Sequence, residues 1–346
     1  MVKKHTIKDV AKEAGVSIAT VSFVLNATPG QVISIEVQKK VKLAAKKLDY
    51  HPSASASGLA RKHTSNLAVV FYRREDLISN QYYSFVVQGA IKEAMRQGFN
   101  LLFSYIEAEY AKGEMLPKVV REKNAEGCIF IHEIDPQLVR DIESRGIKVT
   151  AIDNYPDMEN IDSVSVDNVH GGLLVMEHLA KLGHKNIGIV FSADDRPSIN
   201  GRLAGYRQAA EKASIKLKEY RCGSLTFEDS FLETTRLLSL KSRPTAVVCI
   251  NDEMAAGAVR AVHSLGLHVP NDVSIVGFDN ITMSNYTDPP LTTVGSDKEE
   301  MGARAVRRLH EMIREKKVGT VQDLLSVELI VRESTGPAPA AHKKIS

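Results

Sequence analysis

The 346-residue sequence predicts a small all-α head joined to a larger α/β body of two parallel-sheet lobes. Three observations carry that prediction. Residues 6–50 place apolar side chains at helical spacing. From Leu67 onward, short apolar runs alternate with amphipathic segments. The charge divides at the same place: residues 1–62 carry 11 Lys/Arg against four acids, a balance of +7, which leaves −4 for the remainder of a chain whose net charge is +3. A basic head on a mildly acidic body points to a polyanionic partner for the head.

The composition excludes other classes. No apolar run approaches the roughly 18 residues of a spanning helix, so no membrane association is expected. The start MVKKHTIKDV has no apolar stretch behind its lysines, so no signal peptide is expected. Cys128, Cys222 and Cys249 are odd in number and far apart. They form neither a disulfide framework nor a zinc finger, and they fit a reducing cytoplasm. No metal and no cofactor are expected.

In the head, Thr6 caps a first helix, with Asp9 as the capping-box partner. Ile7, Val10, Ala11 and Ala14 form its apolar face, and Gly15 ends it. Ser17 caps a second helix that runs to about Asn26, with Val21, Val24 and Leu25 inward. Residues 26–30 (NATPG) are a loop. Ser34 opens a third helix with Val37, Val41, Ala44 and Leu48 on one face, and Tyr50-His51-Pro52 stops it. Residues 53–63 are small, polar and then basic, and read as a linker or hinge.

In the body, the apolar runs fall at 67–72, 100–105, 127–131, 148–152, 186–191, 246–250 and 273–278. Amphipathic segments lie between most of them: 83–97, 136–145, 171–182, 203–213 and 253–265, with a last one at 298–316. Nearly continuous apolar strands alternating with helices mean parallel sheets covered on both faces. About 270 residues is large for one sheet, so two lobes with a cleft between them are expected. The expected organisation is a head with hinge over 1–63, a two-lobed body over 64–335 and a flexible tail over 336–346.

The segment TIKDVAKEAGVSIATVSFVLN (6–26) is the most specific signal. Two helices meet at Gly15-Val16-Ser17, where small Ala11 and Ala14 permit close crossing and Val16 plugs the gap. The second helix presents Ile18, Ala19, Ser22 and Phe23 outward, as a helix lying in a DNA major groove does. Thr6, Ser17, Thr20 and Ser22 offer hydroxyls to phosphates, and the helix N-terminus itself attracts an anion.

With these residues in view, the chain resembles the LacI/GalR family of bacterial transcription regulators. It matches every fixed position of the pattern T-[IL]-x-D-V-A-x-x-A-G-V-S-x-x-T-V-S-x-x-L-N. The resemblance continues at Tyr50-His51-Pro52, Leu59-Ala60, 201–209, 244–258, 269–280 and 289–294. It implies a body like a periplasmic sugar-binding protein, a homodimer and a pseudo-palindromic operator. It also implies that Leu59 wedges into the minor groove at the operator's centre. One departure is Phe23, where the family commonly has Arg. Phe23, Ile18 and Ala19 leave contact with thymine methyls and DNA shape to do more of the reading. Ser57 and Gly58 depart too, and glycine costs a helix about 1 kcal/mol relative to alanine.

Three strand ends in the body carry carboxylates and amides: Asp153-Asn154, Asn251-Asp252 and Asp279-Asn280. Ligands of open α/β sheets sit outside such ends, and these groups suit a neutral polyhydroxylated compound. Arg202 offers a forked donor, and Tyr82 and Tyr83 offer rings to a sugar face or a base. The resemblance places ligand contacts on Asp153, Arg202, Asn251 and Asp279. Its purine-binding branch adds positions matching Tyr82, Tyr83, Arg196 and Ser198. A sugar or sugar derivative is the favoured effector, and a purine or nucleoside the alternative. A phosphorylated carrier protein as corepressor stays open.

Asp252 is expected to cap the following helix, as are Asp167 and Asn168; Tyr206 and Phe278 are expected in the core. No nucleophile elbow, phosphate loop, dinucleotide fingerprint or H-E-x-x-H motif is present, so no enzyme is expected. Asp153 and Asp279 as a glycosidase pair, and a ligand-insensitive nucleoid protein, are the competing readings.

Arg61 and Lys62 follow the wedge and are read as phosphate contacts. Arg61→Ala or Lys62→Ala should weaken binding to every DNA sequence alike and reduce the salt slope of log K by about one. Fluorescence-anisotropy titrations at several salt concentrations check this, and an unchanged slope removes these residues from the interface.

Overall fold

The computed structural model describes residues 5–26, 30–51, 63–72, 80–106, 116–131, 135–153, 161–193, 196–315 and 319–339. The head contains helices α1 (Ile7–Ala14), α2 (Ile18–Asn26) and α3 (Ile35–Lys47). Each begins where a side chain satisfies an orphan N–H group. Asp9 accepts from the Thr6 backbone N–H at 2.8 Å, and Ser17 Oγ accepts from the Thr20 N–H at 3.0 Å. Ser34 Oγ accepts from the Val37 N–H at 3.4 Å. Gly15 closes α1 in the left-handed region, φ 65°. Val10, Ala11, Val21, Val41, Ala44 and Ala45 form the buried core, with Val16 packed against it as the expected plug.

The first lobe of the body is a six-stranded parallel sheet. Its strands are β1 (Asn66–Tyr72), β2 (Asn100–Ile106), β3 (Gly127–Ile131), β4 (Lys148–Ile152), β5 (Asp162–Val166) and, from far along the chain, β11 (Gln322–Leu325). The order is β11-β5-β4-β3-β1-β2, with Leu67 opposite Gly127 in the β1–β3 register. Helices α4 (Gln81–Gln97), α5 (Lys118–Arg121) and α6 (Pro136–Glu143) follow its strands.

The second lobe is a four-stranded parallel sheet in the order β7-β6-β8-β9. It comprises β6 (Asn186–Ser192), β7 (Lys216–Cys222), β8 (Ala246–Cys249) and β9 (Ser274–Val276). Its helices are α7 (Asn168–Lys181), α8 (Pro197–Lys212), α9 (Phe227–Leu238) and α10 (Asp252–Ser264), followed by a short 3-10 turn at Thr282–Asn285. An antiparallel pair, β10 (Thr293–Gly295) with β12 (Glu328–Ile330), completes it.

The chain crosses between lobes three times. It passes from β5 into α7, from β10 into α11 (Lys298–Glu315), and from β11 into β12. Helix α7 packs on α8 of the second lobe, whereas α11 returns to pack on α4 of the first. Both helix pairs meet backbone to backbone. A Cβ on Gly302 of α11 would lie 1.9 Å from the Val86 carbonyl oxygen of α4. One on Gly205 of α8 would lie 2.2 Å from the Val169 carbonyl oxygen of α7.

Several elements were not foreseen. The sequence KLKEYRC forms β7, an edge strand with alternating exposure, so it has no continuous apolar run to betray it. Short strands β5, β10, β11 and β12 and helix α9 were also missed. The runs at 246–250 and 273–278 are strand only over Ala246–Cys249 and Ser274–Val276. The tail expected from residue 336 begins attached to the body. Gly336 donates its N–H to Ser274 Oγ at 3.1 Å, and Ala338 donates to the Leu182 carbonyl at 2.9 Å.

The Gly302 contact yields a test. Gly302→Leu should force α4 and α11 apart and destabilise the body by about 1–3 kcal/mol or more, read as a lower midpoint in urea. An unchanged midpoint shows that the seam tolerates separation.

Candidate functional site: the interlobe cleft and the head helix

The cleft is lined by strand ends and helix starts from both lobes. Asp153 follows β4 with φ 56°, and its N–H is held by the Val164 carbonyl at 3.1 Å. Tyr82 and Tyr83 occupy the first turn of α4, where Asn80 Oδ1 caps the Tyr82 N–H at 3.0 Å. From the second lobe come Arg196 and Ser198 at the start of α8, Arg202 one turn later, Asn251 after β8 and Asp279 after β9. Asp279 has φ 109° and is fixed through its N–H to the Val294 carbonyl at 2.8 Å.

All eight side chains line one narrow cavity of about 60 Å3, joined by Asn80, Ile199, Leu225 and Ile250. On its outer side a larger space of about 320 Å3 shares Asn80, Tyr82, Asn251 and Asp279, and adds Phe227 and Met283. Sequence reasoning missed Asn80 and Phe227. Phe227 opens a helix that follows a polar edge strand, so no apolar strand end marked its position.

Arg202 and Asp279, each expected from the sequence as a ligand contact, are also partners of one another. They belong to the same lobe and bond to each other, Nη2 to Oδ1 at 2.9 Å. Arg202 also donates from Nε to Asn168 Oδ1 at 2.9 Å and from Nη1 to the Ile250 carbonyl. Its guanidinium lies 3.7 Å from the ring centroid of buried Phe278. Asn168 therefore positions Arg202, while Asp167 alone caps α7, accepting from the His170 N–H at 2.9 Å. Asp252 does not cap α10 either. Asn251 does, accepting from the Met254 N–H at 2.8 Å. Asp252 is turned inward to accept from the Thr293 hydroxyl and, at 2.9 Å, from the Ile281 N–H. Tyr206 and Phe278 are core residues, as expected.

The electrostatics follow from burial. Loss of solvent pushes the Asp153 carboxyl up to about 6, with Arg202 opposing the shift and Asp279 adding to it. Asp252 is pushed up to about 7 by burial and by Asp279. Burial and the nearby Asp153 charge hold both tyrosine phenols well above their usual range. Tyr83 donates its hydroxyl to Asp153 Oδ2 at 3.2 Å. Asp153 Oδ1 is buried without a hydrogen-bond partner among the described residues.

In the head, Ile18 is 44% exposed, and Ala19 and Ser17 are exposed. Thr20, Ser22 and Phe23 are half-buried. Phe23 is not part of the head's apolar cluster. Ser17 and Thr20 share a hydrogen bond at 2.9 Å, Thr6 Oγ1 donates to Asp9 at 2.9 Å, and Ser22 Oγ accepts from Asn26 Nδ2 at 3.1 Å. Leu59, Arg61 and Lys62 lie outside the described residues.

The profile of the bacterial regulatory proteins, lacI family, matches residues 6–53. That of the periplasmic binding protein-like domain matches residues 176–335. The chain is 34% identical to the HTH-type transcriptional regulator DegA of Bacillus subtilis, over 96% of this chain and 99% of that protein. It is 32% identical to the HTH-type transcriptional repressor PurR of Pasteurella multocida, over 95% and 98%. Among solved structures, the lac repressor dimer bound to operator and the anti-inducer ONPF superposes with a TM-score of 0.83 at 29% identity, covering 96% of this chain and all of that one. The transcriptional regulator CelR–cellobiose complex gives 0.69 at 25% identity, covering 95% and 99%.

Breaking a buried ion pair strands a charge and costs about 3–5 kcal/mol. Arg202→Ala should therefore lower the stability of the body by that order, beyond any effect on ligand affinity. Urea unfolding measures it. A stability within about 0.5 kcal/mol of the parent would show that Arg202 is not a structural anchor.

Proposed function

Because the chain belongs to the LacI family of bacterial regulatory proteins, we propose that it is a homodimeric repressor whose grip on a pseudo-palindromic operator is set by a small neutral polyhydroxylated effector, a sugar or sugar derivative, in the interlobe cleft. Asp153 Oδ1 carries the effector reading. A buried carboxylate oxygen without a donor is costly, and a ligand hydroxyl supplies the donor without adding charge. Asp279 and Asn251 on the facing lobe are further polar partners in the same cavity.

An effector touching both lobes acts on the three crossovers, since closure changes the angle between the sheets those crossovers join. The effect on operator binding is then a coupling free energy, typically about 1–3 kcal/mol. In the head, Ile18, Ala19 and Phe23 face base edges, while Ser17, Thr20, Ser22 and Thr6 serve phosphates and caps. Leu59 is the wedge at the operator's centre, with Arg61 and Lys62 on the backbone beside it.

A purine or nucleoside is the second reading. The 32% identity to a protein named PurR favours it, as does the placement of Tyr82, Tyr83 and Arg196 in one cavity.

The decisive measurement pairs calorimetric titration of the full chain with operator binding on the same preparation, using neutral sugars, purine bases and nucleosides. A sugar is expected to bind and to shift operator affinity roughly 5–150-fold. Asp153→Ala should weaken that sugar at least tenfold. A purine that binds and shifts operator affinity while sugars do neither replaces the first reading with the second.

A further inference from the structure

The cleft continues past the cavity lined by the eight residues. Beside the crossovers between lobes, beyond Asp153 and Ser198, lies a chamber of about 210 Å3. Ser163 and Ser165 of β5 and their register partners Gln322 and Leu324 of β11 form one wall. The first turns of α7 and α8 close it. We propose that this chamber is a second effector subsite. It receives the second ring of an uncharged, disaccharide-sized polyol that lies across the waist at Asp153. The proposal rests on the sugar reading and deepens it by fixing the size of the ligand.

Size is the first argument. Small-molecule sites occupy about 300–1,000 Å3, and the outer space of about 320 Å3 reaches that range alone. A one-ring ligand needs no further room. The chamber beside the crossovers is additional, sets the polar groups of Ser163, Ser165, Asp167 and Gln322 in a mostly apolar lining of the kind a sugar ring's face packs on, and borders the rest at two shared residues, Asp153 and Ser198.

Chemistry is the second. Asp153 is more than nine-tenths buried, borders both spaces and holds the orphaned Oδ1. Helix α8 has no side-chain cap on its first turn, where Ser198 stands. A hydroxyl both donates and accepts, so one ligand hydroxyl at the waist serves the carboxylate and an uncapped N–H group together. An anionic ligand is disfavoured. Asp153 and Asp167 line the chamber, and among the described residues no lysine or arginine does. Asn168 is already committed, its Oδ1 to Arg202 and its Nδ2 to the Val166 carbonyl.

The position has a consequence for signalling. Val166, Asp167 and Asn168 form one crossover, and Leu324 lies just before another. A ring in the chamber therefore rests directly on two of the three connections whose geometry sets lobe closure.

The test is calorimetric titration of the full chain with glucose, ribose, cellobiose, maltose, trehalose and adenosine. It is repeated on Ser165→Leu, which fills the chamber from its wall, and on Leu324→Trp, which fills it from the rim, where Leu324 is 58% exposed. Retained operator binding verifies that each variant is folded. One of the disaccharides is expected to bind at least tenfold more tightly than glucose. Either variant should erase that margin while leaving glucose affinity within twofold. A monosaccharide as the tightest ligand overturns the subsite and leaves the sugar reading standing, and so does a disaccharide margin that survives both variants. Binding of adenosine alone, or of none of the six, overturns the sugar reading itself.

Discussion

The buried guanidinium of Arg202 is the point on which the second lobe's half of the cleft depends. It ties three separate pieces of chain: Asn168 at the start of α7, Ile250 after β8, and Phe278-Asp279 after β9. Each piece supplies or adjoins a cavity residue. A charge this far from solvent persists only with its hydrogen bonds satisfied, so the loops can sit in few arrangements that still serve it. The backbone shows the same constraint. Asp279 and Asn280 both hold positive φ, a conformation that costs a non-glycine residue energy unless its surroundings over-determine it. Asp252 completes the scaffold by binding the Thr293 hydroxyl and the Ile281 N–H from within.

The first lobe contributes less charge to the cleft. Tyr82 and Tyr83 stand edge to face at 4.9 Å, and Tyr83 steadies one oxygen of Asp153. The other oxygen is left for whatever enters. The two halves thus differ in kind. The second lobe's half is organised by the bonds of Arg202, and the first lobe carries the unpartnered acceptor of Asp153. Between them run only three strands of chain, while close glycine seams stiffen the helix pairs on either side. Rigid lobes on thin connections convert a local contact into a change of angle, because the packed interiors cannot absorb it.

Much of this was legible in the sequence because it is local. Thr6, Gly15, Ser17 and Ser34 mark helix ends with their own side-chain chemistry, and the apolar runs mark central parallel strands. The cavity residues were legible too, since carboxylates and amides directly after apolar runs fall at strand ends. What could not be read was who bonds to whom. Arg202 and Asp279 are 77 residues apart, and nothing in either segment says that they share a lobe. The helix cap was assigned to Asp252 instead of Asn251 for a related reason. Adjacent residues after a strand compete for the cap, and the buried hydroxyl of Thr293, 41 residues on, decides which one turns inward. Edge strand β7 escaped because exposure on alternate residues removes the apolar run that identifies its neighbours.

The head poses a different balance between structure and recognition. Its hydroxyls are not idle: Ser17 caps α2 and bonds to Thr20, Thr6 bonds to Asp9, and Ser22 accepts from Asn26. These bonds orient the first turn of α2 before any DNA arrives, and orientation fixed in advance lowers the entropy cost of docking. What remains on the outward face is mostly apolar, Ile18, Ala19 and Phe23. On the proposed docking such a face would contact thymine methyls but offers no bidentate hydrogen bonds, each of which is worth about 1–3 kcal/mol of discrimination. Selectivity would then rest on what apolar contact and backbone electrostatics can sense: the position of methyl groups, the width of the groove and the ease with which the duplex bends. On the proposed docking, with Phe23 facing the bases, the burden of operator choice would move from base edges to DNA shape.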